Sequence, residues 1–168
     1  MKIMRQYKIR RAQTADMERI LEIYSLARAF MISSGNPTQW SPSYPAQCML
    51  EEDICQQHLY VAEDDRGVHG VFFFAVMDDP TYGVIEGGSW GSSDPYGVIH
   101  RIASDGNGGV FSAALAFCLE KIPHIRIDTH HDNFPMQHVL EKHGFRKRGI
   151  IYVADGSPRI AYDRINNG

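Results

Sequence analysis

The stretch VIHRIASDGNGGVFSAALAFCLEK, from Val98 to Lys121, most constrains what this chain can fold into. An apolar, β-branched segment ends in a cluster of glycines, and an apolar segment with helical spacing follows. Glycine in a connection supplies a positive φ or lets another molecule approach the main chain. A short loop between a strand and a helix also points unpaired backbone N–H groups at one spot, which attracts phosphate. We therefore predict a strand, a phosphate-binding loop and a helix, with a simple turn as the alternative.

Composition restricts the class of protein. The chain has 168 residues, 43% of them hydrophobic and 22% charged, which fits one globular domain over 1–168. The formal net charge of -3 provides no electrostatic footprint for nucleic acid or an anionic membrane surface, so we expect neither partner. Cys48, Cys55 and Cys118 show no CxxC spacing, and no segment approaches the ~18 consecutive apolar residues of a membrane span. We expect reduced thiols and a cytoplasmic protein.

Periodicity and turn signals place an antiparallel meander before a βαβ unit. We predict helices at 17–30, 46–55, 110–121 and 134–143, and strands at 7–12, 58–63, 68–77, 98–103 and 125–129, a strand from Gly144, and a closing hairpin of 150–153 and 159–165. The helix at 110–121 crosses between two strands of one sheet, so we expect the strands at 98–103 and 125–129 to be parallel neighbours.

Two classes of ligand fit the glycine loop. The run Gly106-Asn107-Gly108-Gly109-Val110-Phe111-Ser112 nearly satisfies the GxGxxG/A fingerprint of dinucleotide-binding proteins, and Asp128 ends the next strand. That fingerprint normally opens a run of successive βαβ units, whereas an antiparallel meander precedes it here. The second class is coenzyme A, whose diphosphate suits the same kind of loop. We favour the coenzyme because the whole order of elements along the chain resembles that of a coenzyme A-dependent superfamily.

The order of elements and several motifs resemble the GNAT superfamily of acetyl-CoA-dependent N-acetyltransferases. The motifs are IHRIAS, the glycine loop and IRIDTHHDNFPMQHVLEKHGF, in which Asn133 and Gly144-Phe145 match an Asn-to-Gly-Phe helix motif. QWSPSYP, EGGSW and DGSPRIAY resemble a small bacterial branch of undefined substrate. The resemblance implies a mixed α/β fold, with a mostly antiparallel sheet of six to seven strands, one central parallel pair and helices on both faces. It also implies transfer of an acetyl group from acetyl-CoA to a primary amine of a small molecule or a peptide amino terminus, by direct attack in a ternary complex.

The resemblance further implies where acetyl-CoA is held. Its pantetheine arm pairs like a strand in a V-shaped gap between the strands that end at Ser104 and His130, and the N–H of Ile102 binds the thioester oxygen. The implied coenzyme-binding residues are Ile102, Ala103, Ser104, Gly106, Gly108, Gly109, Val110, Phe111, Ser112, Asn133 and Met136.

Two departures from the superfamily pattern leave an alternative function open. The loop lacks the usual Arg or Gln and carries Phe111 where a small residue is usual. Leu140 stands where a tyrosine often protonates the departing thiolate. The alternative is therefore a catalytically impaired acyl-CoA-binding module.

An alkylamine must lose a proton before it attacks a thioester, because its ordinary pKa is near ~10.4. His100, on the strand before the loop, is the candidate base, and a buried structural histidine is an equal alternative. Glu86 is the rival base. Tyr152 is the candidate acid in place of the missing tyrosine.

Trp40, Tyr44 and Trp90 are candidate walls of the acceptor pocket, because two long loops carry these large aromatics. Packing of each aromatic onto its own domain is nearly as good an interpretation. His130 is a fourth candidate. The run His130-His131-Asp132 has metal-ligand chemistry, but adjacent residues of an extended segment point to opposite faces, so we predict no metal. The closing hairpin offers an edge strand for a homodimer.

Overall fold

A seven-stranded sheet organises residues 6–166, the part of the chain that this computed structural model describes. The strands are β1 (Lys8–Arg11), β2 (Leu59–Asp64), β3 (Gly67–Val76), β4 (Gly97–Ser104), β5 (His124–Thr129), β6 (Arg146–Tyr152) and β7 (Pro158–Ile165). Their order in the sheet is β1-β2-β3-β4-β5-β7-β6, and β4 and β5 are the parallel pair within these residues. The predicted mixed α/β fold with one central parallel pair is confirmed.

The helices lie on both faces of this sheet. They are α1 (Met17–Ser33), α2 (Gln47–Cys55), α3 (Val110–Lys121) and α4 (Phe134–Lys142). Side chains of β3 alternate, so Phe72 and Phe74 share a core with α3 while Val71 shares a second core with α1 and α2. Gly70 allows α3 to approach β3, because a Cβ there would overlap the Val110 side chain. No helix within residues 6–166 combines the length and the apolar character needed to cross a bilayer.

The C-terminal strands differ from the prediction. We expected one strand to start at Gly144 and another at residue 150, but β6 is a single strand from Arg146 to Tyr152. Phe145 instead packs in the core at the end of α4, 3% exposed. Gly149 does not end the strand because a register shift between Lys147 and Gly149 accommodates it.

The connection between β3 and β4, residues 77–96, crosses the sheet to its far edge and returns. Glu86 pairs with Ile150 on the outer side of β6. On the way back, the N–H of Gly91 donates to the buried carboxylate of Asp163 at 2.8 Å. The connection is therefore fastened to the sheet.

The strands β4 and β5 separate soon after they start. Their register pairs Gly97 with Ile125 and Val98 with Arg126, and no later residues of these two strands are paired. On its other side, β4 bulges against β3 near Arg101. A V-shaped gap therefore opens toward the carboxyl ends of β4 and β5, as the resemblance implies.

Candidate functional site

His100 lies on β4 where the gap opens, and a carboxylate holds its imidazole from one side. Nε2 of His100 is 2.6 Å from Oδ2 of Asp79, whose Oδ1 accepts hydrogen bonds from the N–H and hydroxyl of Thr81. Burial raises the pKa of Asp79, but the hydrogen bonds from His100 and Thr81 outweigh it and lower this pKa to about 2. An ionised carboxylate only accepts, so the proton in the contact belongs to Nε2. Neutral His100 therefore presents the lone pair of Nδ1.

A second carboxylate lies beside that nitrogen. Oδ2 of Asp128, on β5, is 4.0 Å from Nδ1 of His100 and accepts the hydroxyl of Tyr82 at 2.7 Å. Burial and the charge of Asp128 raise the pKa of Tyr82 well above its usual value, so the hydroxyl keeps its proton. The His100 side chain is 26% exposed, against 12% for Asp128, so the imidazole is open to an incoming molecule.

The backbone of β4 bulges at the next residue. Arg101 has a φ of 51°, which is uncommon for a residue with a side chain. Its carbonyl accepts the hydroxyl of Tyr24 at 2.8 Å, and its guanidinium pairs with Asp53 and lies 5.0 Å from the centre of the Phe73 ring. The helices α1 and α2 thus hold the bulge. A bulge leaves backbone groups out of the ladder, and the N–H of Ile102 is the candidate oxyanion donor.

The glycine loop takes a shape that favours glycine. Gly106, Gly108 and Gly109 have φ angles of 91°, 78° and 82°. A Cβ at Gly106 or Gly108 would meet no atom within 4 Å, so the backbone conformation rather than crowding requires glycine there. Gly109 precedes α3, whose first N–H groups have no partner inside the helix. The N–H groups of Gly106 and Asn107 donate to Ser104 Oγ and Asp105 Oδ1, so the N–H groups from Gly108 into the first turn of α3 are the candidates for holding a diphosphate.

Phe111 does not fill this loop. Its ring packs edge-on against His143 and Phe145, with ring centres 5.0 and 6.2 Å apart. Met136, on α4, is partly buried against the same core. The hydroxyl of Ser112 and Nε2 of His143 are 2.8 Å apart, which joins the first turn of α3 to the end of α4.

The connection between α1 and α2, residues 34–46, reaches the other side of the gap. Oε1 of Gln39 accepts a hydrogen bond from Nδ2 of Asn133 at 2.9 Å, while Oδ1 of Asn133 caps the first turn of α4. The hydroxyl of Thr38 is 3.3 Å from Nε2 of His130. Both polar atoms of the Asn133 side chain are therefore used within the protein, and this connection closes one side of the gap.

The aromatic residues predicted to line an acceptor pocket lie in two different places. Trp40 lies between Tyr24 and Tyr44, with ring centres 5.8 Å from each, on the side of α1. Trp90 lies on the side of the 77–96 connection, where its indole N–H donates to the carbonyl of Tyr82 at 3.0 Å. The ring of Tyr82 also contacts that of His100, so Trp90 packs against a residue that contacts His100.

Glu86 and Tyr152 meet each other but not His100. The hydroxyl of Tyr152 donates to Oε2 of Glu86 at 2.9 Å, and this bond raises the pKa of the exposed Tyr152. The outer strand β6, which carries Tyr152, is separated from β4 by β5 and β7, and Glu86 lies beyond β6. At about 4.8 Å per strand, Glu86 is roughly 19 Å from β4 along the sheet.

Our reason for predicting no metal at His130, His131 and Asp132 was wrong. The chain turns after β5, so ligand atoms of the three side chains lie within 4.8 Å of one another. Both nitrogens of His130 are already engaged, Nδ1 by the N–H of Asp132 at 3.0 Å and Nε2 by Thr38. Burial, and then the neighbouring His131, lower the pKa of His130. His131 and Asp132 thus remain as the ligands that a metal can use without rearrangement.

Sequence reasoning missed the two residues that orient the site, Asp79 and Tyr82, and considered Asp128 only for a dinucleotide. A signal for Asp79 exists in the sequence, because Asp-Pro-Thr is typical of a capped turn, and Asp79 does cap the 3₁₀ turn Pro80–Tyr82. Nothing in the sequence connects that turn with His100. The contact depends on the path of the 77–96 connection over the sheet.

No protein-family model matches this sequence, and no curated protein matches it. Solved structures do match. An acetyltransferase of the GNAT family from Streptococcus agalactiae has a TM-score of 0.86 and 28% identity, and the match covers 96% of each chain. A GNAT-family acetyltransferase from Listeria monocytogenes has a TM-score of 0.69 and 18% identity, over 95% of this chain and 94% of that one. The ribosomal-protein-S18-alanine N-acetyltransferase from Escherichia coli has a TM-score of 0.63 and 12% identity, over 97% and 96%. The chain therefore has the GNAT acetyltransferase fold along nearly its whole length, and its structural neighbours are GNAT-family acetyltransferases.

Proposed function

We propose that this chain is an acetyl-CoA-dependent N-acetyltransferase that acetylates a primary amine of a small molecule or a peptide amino terminus by direct attack in a ternary complex. One observation carries the proposal: β4 and β5 separate after Val98, with His100 where the gap opens and the glycine loop at the end of β4. Acetyl-CoA supplies the acetyl thioester when it is bound.

The residues around the gap fit that co-substrate. The segment from Ile102 to Ser104 has no partner on β5, so an extended pantetheine arm can pair with it like an added strand. The N–H groups from Gly108 into the first turn of α3 suit the diphosphate. The packing of Phe111 against His143 and Phe145 leaves the loop open.

His100 is the proposed general base. Nδ1 takes a proton from the amine, and Asp79 stabilises the resulting imidazolium through the N–H at Nε2. The same Asp–His contact fixes the orientation of the ring, so the lone pair of Nδ1 stays directed into the site. The bulge at Arg101 supports the assignment of the Ile102 N–H to the oxyanion.

One observation favours the second candidate, a catalytically impaired acyl-CoA-binding module. Leu140 is fully buried in the core beside α3, so the position of the usual tyrosine acid carries no proton donor. Tyr152 is bonded to Glu86 at the outer edge of the sheet. Coenzyme A thiolate is a fair leaving group, and on that ground we rank the enzyme first.

The remaining assignments are also proposals. A cytoplasmic location and the absence of nucleic-acid and membrane partners are supported by the net charge of -3 and the unpaired cysteines. A homodimer through the outer strand β6 is supported by its position at the edge of the sheet, although Glu86 already occupies that edge at Ile150.

Release of free coenzyme A from acetyl-CoA, measured across a panel of primary amines, tests the proposal. We expect amine-dependent release that His100→Ala removes and His138→Ala, an exposed histidine of α4, retains. Thermal stabilisation by acetyl-CoA with no release on any amine supports the binding module instead. Stabilisation by NAD and none by acetyl-CoA overturns both in favour of a dinucleotide.

A further inference from the structure

We propose that Asp128 receives the acceptor as a cation, and that the acceptor class is a primary ammonium with no carboxylate on the neighbouring carbon. The inference rests on the proposed function, because it concerns the amine that His100 deprotonates. It adds a residue with a role in substrate binding and a restriction on the substrate.

The distance between Asp128 and His100 fits one ammonium nitrogen. Oδ2 of Asp128 and Nδ1 of His100 are 4.0 Å apart, too far for a hydrogen bond between them. A nitrogen at about 2.9 Å from both atoms fits between them, which is the ordinary length of an N–H···O or N–H···N bond. Oδ1 of Asp128 accepts no hydrogen bond from any residue in 6–166, so it is a second acceptor for the same cation. The hydroxyl of Tyr82 holds the carboxylate in this position.

Charge at the site also favours a cation. Asp79 and Asp128 flank one imidazole, so the site is negative while His100 is neutral. The nearby guanidinium groups are committed elsewhere. Arg126 lies between the rings of two aromatic residues in the 77–96 connection, and Arg101 pairs with a carboxylate of α2. Arg159, on β7, donates to the backbone carbonyls of Pro158 and Gln39. An acceptor with a carboxylate beside its amine would bring a third negative charge to this place, and like charges in close contact are strongly unfavourable.

The proton transfer that follows is balanced within these residues. One N–H of the ammonium stays hydrogen-bonded to Asp128. A second N–H bond breaks, its proton forms a bond to Nδ1 of His100, and the electron pair remains on the amine nitrogen. The positive charge moves from the amine to an imidazolium between Asp79 and Asp128, and the proton later leaves to water. Asp128 thus binds the cation before the transfer and stabilises the charge after it.

The test compares three amines that differ at the carbon next to nitrogen: butylamine, alaninamide and alanine. Steady-state kcat and KM are measured with the wild type, Asp128→Asn and Asp65→Asn, a matched change at an exposed turn. Asparagine retains an oxygen for the Tyr82 hydroxyl, so we expect the variant to fold with an unchanged melting temperature. A second readout needs no acetyl-CoA: the ¹⁵N resonances of the His100 imidazole are followed while alaninamide is added.

We expect the wild type to prefer alaninamide over alanine by at least about tenfold in kcat/KM, since the added carboxylate meets like charge. Asp128→Asn should raise KM for alaninamide by about tenfold or more and reduce this preference, and Asp65→Asn should change neither. The imidazole resonances should move on amine addition in the wild type and not in Asp128→Asn. Turnover of butylamine would identify the acceptor as a simple alkylamine, and turnover of alaninamide alone would identify it as an amino terminus. Both outcomes support the proposal.

Three results would overturn the inference while the proposed function stands: equal use of alanine and alaninamide, an unchanged KM in Asp128→Asn, or the same resonance shifts in both proteins. Absence of turnover on every amine contradicts the proposed function instead. The imidazole titration then still decides whether Asp128 binds a cation. Tyr82→Phe provides a second variant if Asp128→Asn fails to fold, and it should raise KM less because the carboxylate remains.

Discussion

Two histidines of this protein each lie between two aspartates, and only one of them is open. His69, on β3, has Nδ1 2.6 Å from Asp105 and Nε2 2.8 Å from Asp64. His100, on β4, has Nε2 at 2.6 Å from Asp79, but its Nδ1 is 4.0 Å from the second carboxylate. The His69 side chain is 9% exposed and that of His100 is 26% exposed. Both ring nitrogens of His69 are in hydrogen-bond contact with a carboxylate, whereas His100 has such a contact at Nε2 and not at Nδ1.

This difference in the contacts of the ring nitrogens suggests different roles for His69 and His100. Both ring nitrogens of His69 contact a carboxylate, so its imidazole joins two acidic residues. Asp105 immediately precedes the glycine loop and also accepts Arg19 at 2.7 Å. Burial raises the pKa of Asp105, but hydrogen bonds from His69 and Asn107 outweigh it and lower this pKa. His69 therefore holds Asp105 at the start of the loop, whereas Nδ1 of His100, the proposed base, has no hydrogen-bond partner within residues 6–166.

The largest expected effect separates the two histidines by rate. His100→Ala should lower kcat for an amine by about 10²- to 10⁴-fold, the usual contribution of a general base. His69→Ala should lower kcat by less than about tenfold, since it removes no group from the reacting atoms. Coenzyme release at saturating acetyl-CoA measures both. Equal losses of kcat in the two variants would contradict the assignment of the base to His100.

The second effect is on stability, and here we expect substitution of His69 to have a larger effect than substitution of His100. His69→Ala removes the imidazole that joins Asp64 and Asp105, whose side chains are 15% and 6% exposed. We expect a loss of about 2 kcal/mol in the free energy of unfolding, because two hydrogen bonds between the imidazole and largely buried carboxylates are lost. Urea denaturation measures it, with His138→Ala as the exposed control.

The same variant should also bind acetyl-CoA more weakly, because Asp105 holds the start of the loop. Isothermal titration with the wild type and His69→Ala measures this effect. An unchanged free energy of unfolding together with unchanged affinity would show that His69 is not the anchor.

The third effect concerns acid. The pKa of Asp79 is about 2 in the folded protein against an ordinary 3.8, so the unfolded chain binds more protons between these values. Asp79 therefore contributes stability above about pH 4, and this contribution is lost as the pH falls toward 2. We expect it to amount to about 1 to 2 kcal/mol, since the carboxylate is only partly removed from water.

Urea denaturation of the wild type and Asp79→Asn over this pH range isolates the contribution of Asp79 from those of other acids. The difference in the free energy of unfolding between the wild type and Asp79→Asn should become smaller as the pH falls. A difference in the free energy of unfolding that stays constant with pH would mean that Asp79 is not held as a carboxylate by His100.

The sequence predicts the scaffold of both sites better than their contacts. Alternation placed His100 on a strand beside the glycine loop, and the fold around it is confirmed. The partners of His100 come from a long connection and from the next strand, and their meeting depends on how the connection crosses the sheet. Local patterns carry no information about such a path. For the same reason, Glu86 was predicted as the rival base, and it lies beyond the edge strand β6.

The smallest expected effect belongs to Tyr152 and Glu86, a hydrogen-bonded pair that differs from both histidine sites in being exposed. Because Tyr152 is separated from β4 by two strands, Tyr152→Phe removes a hydroxyl that no reacting atom near His100 can reach. We expect kcat to change by less than about twofold on every amine that the wild type uses. Loss of the hydrogen bond with Glu86 should remove the raised pKa of Tyr152, which ultraviolet titration of the phenol in the wild type and Glu86→Ala measures. A large fall in kcat for Tyr152→Phe, with the melting temperature unchanged, would mean that the outer edge of the sheet takes part in the reaction and that the open nitrogen of His100 is not sufficient for it.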